Sequence, residues 1–438
     1  MSDAAGVSVG TVVEGYAHLE SRGVLYTRPR SGYFVSPRKS ALPAPTGKRA
    51  FSTRPVSVTT KVLDTVIESL GRTDLVALNS AITKSAERID GRLNAIARAI
   101  LRAQPHNANA LLPVAGLESL RREIAKRMAL WGVATDPNDV VITSGTTEAL
   151  ALAVSAVCGA GDTVLIESPT YTGILQMLER LRLKVVEVPN RPGHGIDLDA
   201  VEQVVRRTKI AAAVVQSNFN NPTGALMSDD AKRQLVAMLT HAGICIIEDD
   251  IYGDLHFGPQ RPRPLAAFDD SGLVITCASI SKTVAIGYRI GWAITPRYAA
   301  DITRAKFSTS ITCPTLQQHI VAQYFTAGLH ERHLRKIRAG LSINCRRFRE
   351  AVERAFPAGT RVSNPEGGVV LWIELPKAMS GVDIFERALA KQIGITPGTI
   401  YSAKGDYPNF IRLSAGVEWT PAVAKALDTL GRLAAAPR

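Results

Sequence analysis

Lys282 stands in Ser279-Ile280-Ser281-Lys282, directly after an apolar run at 273–278, and Arg289 follows it seven residues on. An amine at the end of a buried strand can attack an aldehyde once it has lost its proton. Lysine's ordinary pKa of about 10.4 must then be lowered, which burial and neighbouring cations both do. The planar guanidinium of Arg289 offers a fork that suits phosphate oxygens. A second chemical group comes earlier, where Glu248-Asp249-Asp250-Ile251-Tyr252 closes the apolar run 243–247. A carboxylate at such an edge is poorly solvated and needs a cation beside it, either a basic side chain or a protonated ring nitrogen.

Three further loops fall in the same setting. Ser144-Gly145-Thr146-Thr147-Glu148 turns from a strand into a helix, so free backbone N–H groups and the helix dipole create a phosphate site, with Gly145 permitting close approach. Ser168-Pro169-Thr170-Tyr171 fixes a tyrosine that can stack on a flat ring. Asn218-Phe219-Asn220-Asn221-Pro222-Thr223-Gly224 presents an asparagine amide from a rigid turn. Taken singly, each has an ordinary reading as a turn, a core tyrosine or a salt bridge. Their order along the chain carries the argument.

The elements that must hold these loops are legible from about residue 61 onward. Strand patterns at 140–143, 163–167, 184–188, 211–216, 243–248, 273–278 and 289–294 alternate with helical ones such as 117–131 and 229–242. Such alternation predicts an α/β fold, a mostly parallel sheet with helices on both faces, which binds ligands at the carboxyl ends of its strands. From about 330 to 438 the pattern changes to a smaller α+β lobe.

The ordered set SGTT, SPTY, NPTG, DDIY, SISK and RIGW resembles the fold-type I pyridoxal-phosphate aminotransferases over about residues 61–438. That resemblance implies pyridoxal 5'-phosphate as cofactor, joined to Lys282 as a Schiff base, with Lys282 also moving protons. It implies that Asp249 pairs with the ring nitrogen, that Asn221 and Tyr252 contact the ring oxygen, and that Tyr171 stacks on the ring. Gly145, Thr146, Ser279 and Arg289 would hold the phosphate. Arg412, in Phe410-Ile411-Arg412-Leu413-Ser414, resembles the arginine that grips an amino acid's α-carboxylate. Where the family often has a tyrosine that reaches a partner's phosphate, the stretch 109–115 has none. The resemblance further implies a homodimer.

The front end has a different texture. Residues 1–61 hold nine Lys or Arg against three acids, out of a net charge of +13 for the chain, a bias that suits a polyanion such as DNA. Apolar residues from Val9 to Leu19 follow helical spacing with Ser8 as cap, and 24–26 and 33–35 read as two strands of a basic hairpin. Residues 1–36 resemble the second half of a GntR-type winged helix, with Thr11, Arg28 and Arg30 as its DNA contacts and its first helix missing, as in a truncated head. A Pro- and Ser-rich basic linker is expected at 37–60. A winged-helix head on an aminotransferase-like body resembles the MocR-type transcriptional regulators. The function implied is promoter binding governed by pyridoxal phosphate or an amino-acid aldimine. The alternative is an amino-acid aminotransferase with a vestigial head.

Composition narrows the rest. Five scattered cysteines without a CxxC pair support neither a disulfide framework nor a zinc site, and no metal is expected. No apolar run approaches the roughly 18–20 residues that cross a bilayer, and no signal peptide is seen, so no membrane partner and a cytoplasmic address are expected.

Overall fold

Short runs of Val, Ile and Ala that are apolar on both faces can be buried only in the middle of a layered structure. In the computed structural model, which describes residues 6–21, 24–28, 32–35, 42–46, 53–56, 60–83 and 89–436, these runs lie side by side in one sheet. Its order is Thr53–Pro55, Lys184–Arg191, Thr163–Ser168, Ala212–Val215, Cys245–Asp249, Val274–Ser279, Gly291–Ile294 and Val140–Thr143. From Lys184–Arg191 to Val274–Ser279 neighbouring strands are parallel. Gly291–Ile294 runs antiparallel to both of its neighbours.

Period-two alternation sends successive side chains to opposite faces. Val164 and Ile166 pack against the helices Thr146–Val157 and Thr172–Arg180, through Ala149, Ala153, Ile174 and Leu178. Leu165, between them, faces Val201 and Val204 of Leu198–Arg207 and Leu235 and Leu239 of Asp229–His241. Ser228 caps the last of these helices by accepting from the Ala231 N–H at 3.2 Å. Helices therefore cover both faces, as expected for this fold.

The smaller lobe is an antiparallel sheet of Arg361–Val362, Val370–Glu374, Phe410–Ser414 and Thr396–Pro397. It is built from both ends of the body rather than from 330 onward alone. Helix Lys61–Leu70 buries Leu63 and Val66 in the same core as Trp372 and Phe410, and Val76–Ala77 pairs with Ile393–Gly394. An amphipathic helix needs an apolar surface to cover, and this lobe supplies one.

Part of the stretch expected as a linker is fastened to the body. Thr53–Pro55 adds an antiparallel edge strand beside Lys184–Val186, a place where proline is tolerated. Thr46 donates its N–H and hydroxyl to the Glu374 carboxylate at 2.7 and 2.8 Å. At the front, helix Val9–Ser21 is capped by Ser8, whose Oγ accepts from the Thr11 N–H at 3.1 Å. It is followed by the antiparallel hairpin Leu25–Arg28 and Gly32–Val35, and Tyr16 stacks on Tyr33 with ring centres 4.4 Å apart. Val9 and Val13 of this helix are 69% and 55% exposed, so its apolar face is only partly covered. Arg346, on the long helix Leu329–Ala355, donates to the Glu20 carbonyl and docks the front helix on the body. Among the described residues no helix is long and apolar enough to cross a membrane.

Candidate functional site

Where the parallel strands end, loops from several of them and the inner face of the small lobe enclose a cavity of about 320 Å³. Nine of the ten body residues singled out in the sequence line it; Gly145 lies just behind, beneath Arg289.

Lys282 ends a short 3-10 turn, Ile280–Lys282, that follows strand Val274–Ser279. Burial, then the positive charges of Arg412 and Arg289, lower its pKa to about 8, with Asp249 pulling the other way. The turn is pinned from outside. The Thr83 hydroxyl donates to the Lys282 carbonyl at 2.6 Å, and the His333 ring donates to the Thr283 carbonyl at 2.9 Å.

Asp249 is the last residue of Cys245–Asp249 and is 3% exposed. Burial pushes its pKa up to about 7, against hydrogen bonds from Gln216 and the Ile251 N–H. Its two acidic neighbours are satisfied elsewhere. Glu248 accepts from the Ser217 hydroxyl at 2.6 Å and from the Leu265 N–H at 2.9 Å. Asp250 is ion-paired with buried Arg261. Of the three, Asp249 alone borders the cavity.

A separate corner gathers hydrogen-bond donors around a helix N-terminus. Gly145 (φ +82°) is the N-cap of helix Thr146–Val157. Arg289 crosses over it, donating from Nη2 to the Ser144 carbonyl at 3.0 Å and from Nη1 to Ser281 Oγ at 3.3 Å. A β-carbon at 145 would collide with that guanidinium. Thr146 Oγ1 is buried here without a hydrogen-bond partner, and Ser279 lines the same cavity. The strand expected to start at Arg289 starts at Gly291, because Arg289 takes a left-handed turn (φ +53°) that returns its side chain to this corner.

On the small-lobe side, Arg412 lies in strand Phe410–Ser414 and is 5% exposed. It donates to Thr396 Oγ1 at 3.1 Å, to Asn221 Oδ1 at 3.5 Å and to the Asn79 carbonyl. Its Nε has no partner, and it forms no ion pair among the described residues. Tyr171 and Tyr252 supply aromatic walls, and burial raises both hydroxyl pKa values. Gly173 makes room for the Tyr171 ring, which a β-carbon there would strike.

Several contributors have no signal in the sequence. Gln216, Thr396 and Asn79 act through partners 16 to 333 positions away, and nothing in their own neighbourhoods marks them. Ser281, inside the Ser279–Lys282 motif, bonds Arg289 eight residues on. Glu167, buried and pushed up to about 8, holds the Gln216 N–H at 2.6 Å from beneath the site. The three proposed DNA contacts lie apart from the cavity or cannot be placed. Thr11 is on an exposed position of Val9–Ser21, its hydroxyl 2.9 Å from that of Ser8. Arg28 ends the first hairpin strand but its side chain is outside the described set, and Arg30 lies outside the described residues altogether.

Comparison with known proteins agrees with this fold. The family model "Aminotransferase class I and II" matches residues 73–427. The HTH-type transcriptional regulator YjiR of Escherichia coli is 33% identical over 98% of this chain and 92% of its own length. The 2-aminoadipate transaminase of Thermus thermophilus is 31% identical over 76% of this chain and 83% of its own. Among solved structures, LysN, an α-aminoadipate aminotransferase from Thermus thermophilus complexed with N-(5'-phosphopyridoxyl)-L-leucine, superposes with a TM-score of 0.79. It is 27% identical, covering 86% of this chain and 95% of that one. With a matching body and a match to a helix-turn-helix regulator over 98% of the chain, the chain belongs to the class I and II aminotransferase family and, within it, to the MocR-type regulators.

Proposed function

We propose that this chain is a pyridoxal-phosphate-binding transcriptional regulator whose front end binds promoter DNA and whose body senses the cofactor together with an amino acid. The observation that carries the reading is that similarity to YjiR spans 98% of the chain, head included, while the body retains its charged cavity.

The residues fit the cofactor. Leaving an isolated charge buried costs several kcal/mol, so an unpaired buried carboxylate and an unpaired buried guanidinium in one cavity point to a ligand rather than to stability. Asp249 would face a cationic ring nitrogen. Thr146, the helix N-terminus, Ser279 and Arg289 would hold a phosphate, and Arg412 an α-carboxylate. Tyr171 would lie on the ring, with Asn221 and Tyr252 at its oxygen. When bound, pyridoxal phosphate supplies an aldehyde carbon for attachment and a ring able to withdraw electrons.

Lys282 Nζ, its pKa near 8, is neutral often enough near pH 7 to act as nucleophile and then to hold a proton above the same site. Arg412, fixed by Thr396 and Asn79, orients an incoming amino acid by its carboxylate. Because Arg412 stands on the small lobe and Lys282 on the large one, one amino acid can bridge both. That bridging would bias the lobes toward closure, a change the head can read. The body would pair with a second copy, which would cover apolar surface such as Leu111 and Phe307, now 77% and 64% exposed.

The test is binding of the protein to its own upstream region, with and without pyridoxal phosphate and a panel of amino acids. Selective retention that responds to cofactor in the wild type and not in Lys282→Ala supports the reading. Steady amino transfer to 2-oxo acids with no DNA retention would replace it with the enzyme.

A further inference from the structure

Helix Leu329–Ala355 holds seven Lys or Arg and no acid between Arg332 and Arg349. Those cations differ in what they meet. Arg338 pairs with Glu331 at 2.7 Å, and Arg346 donates to the Glu20 carbonyl. Arg332, Lys336 and Arg347 are exposed and form no ion pair among the described residues. With 3.6 residues per turn, spacings of four and eleven place these three on one stripe.

The stripe borders a groove of about 740 Å³, to which Arg92 of helix Asp90–Ala103 adds a fourth exposed cation and Trp419 an aromatic face. Glu418 is the one acid among its described lining residues. Burial, together with the charges of Lys336 and Arg92, holds His333 in the same lining below the ordinary histidine pKa. Four cations around one groove repel each other, and a partner rich in negative charge relieves that repulsion. The groove wall is tied to the body. Asn344 donates to the Val417 carbonyl at 2.7 Å, and His333 to that of Thr283 at 2.9 Å.

We infer that this groove binds the sugar–phosphate backbone of the DNA engaged by the front helix, so that the body adds its own phosphate contacts to those of the head. The inference rests on the regulator reading above. Three features favour DNA over a small anion. The cationic side chains are exposed rather than closed round one point. They are strung over about 22 Å of helix, and duplex DNA carries one charge per roughly 1.7 Å of its axis. The same helix, one residue from Arg347, docks the head through Arg346.

The test uses the full chain loaded with pyridoxal phosphate and fluorescence anisotropy over a salt series, with its own upstream duplex and a scrambled one. The triple variant Arg332→Gln, Lys336→Gln, Arg347→Gln should make log K against log salt shallower by about 2–3, at roughly 0.9 for each phosphate no longer neutralised, equally on both duplexes. Its cofactor absorbance should be unchanged, and the variant Arg332→Lys, Arg347→Lys should keep the wild-type slope. Wild-type binding with the same slope in the triple variant overturns the groove alone. Failure of the wild type to bind either duplex overturns the regulator reading with it. Saturable binding of inorganic pyrophosphate without DNA, abolished in the triple variant, would assign the groove to a small anion instead and overturn the inference.

Discussion

Gln216 and Asp249 are joined by a 2.6 Å hydrogen bond from Nε2 to Oδ2, and the same side chain's Oε1 accepts from the Asn221 N–H at 3.0 Å. One amide thus sets both the carboxylate and the asparagine turn that faces it. Removing it by Gln216→Leu takes away a bond that holds the Asp249 pKa down, so that pKa should rise further. A hydrogen bond to a charged group contributes about 1.5–3 kcal/mol, so cofactor affinity should fall roughly ten- to hundredfold, measured by absorbance titration.

Lys282 is the expected point of covalent attachment. Lys282→Ala and Lys282→Arg should both lack the visible absorbance that the wild type gains with pyridoxal phosphate. Borohydride treatment followed by peptide mapping should leave the label at residue 282 in the wild type. A label at another lysine would move the chemistry elsewhere.

The rate of attachment should follow the neutral fraction of that amine. It should rise with pH and level off above about 8, the value to which burial and Arg412 bring Lys282. Arg412→Leu removes a charge that depresses this pKa, so the midpoint should move to higher pH. The same variant should need at least tenfold more amino acid to perturb the bound cofactor's spectrum, since it can no longer form a bidentate charged pair with the carboxylate. An unmoved midpoint would mean that Arg412 does not help set the amine's pKa.

Asp249 makes a linked prediction for stability without cofactor. Its pKa is raised from 3.8 to about 7, so between those values the folded chain keeps a proton that the unfolded chain has released. Raising the pH through that window should therefore erode stability. Denaturant melts of Asp249→Asn should show a flatter dependence from about pH 4 to pH 7. Saturating cofactor should narrow the difference by pairing the carboxylate.

Gly145→Ala should impair the phosphate corner specifically. The residue has a positive φ and its β-carbon would displace Arg289. The strain is on the order of 1 kcal/mol, and displacement of Arg289 adds to it. Cofactor affinity should drop by about tenfold or more, while pyridoxal without phosphate should bind nearly as before.

Much of this architecture is readable without coordinates. Apolar runs buried on both faces announce a parallel layered sheet whatever their neighbours, and loops at the ends of such strands are the expected ligand site. The small lobe's dependence on helix Lys61–Leu70 is not readable, because an amphipathic helix shows that it needs a partner but not which one. The fastening of Thr53–Pro55 and Thr46 is hidden for a related reason. Backbone pairing and a single carboxylate leave no periodic trace in the sequence.

The sequence by itself determined the order of the reactive groups: a lysine after one strand, an acid after another, glycine and arginine where an oxyanion could sit. Local composition and period settle those, since they depend on neighbours along the chain. Only the tertiary structure decided which groups are left unsatisfied. Glu248 and Asp250 find Ser217, Leu265 and Arg261, whereas Asp249 and Arg412 form no ion pair among the described residues. A charge is neutralised or kept available by what folds against it, and those partners of Glu248 and Asp250 lie 11 to 31 positions away along the chain.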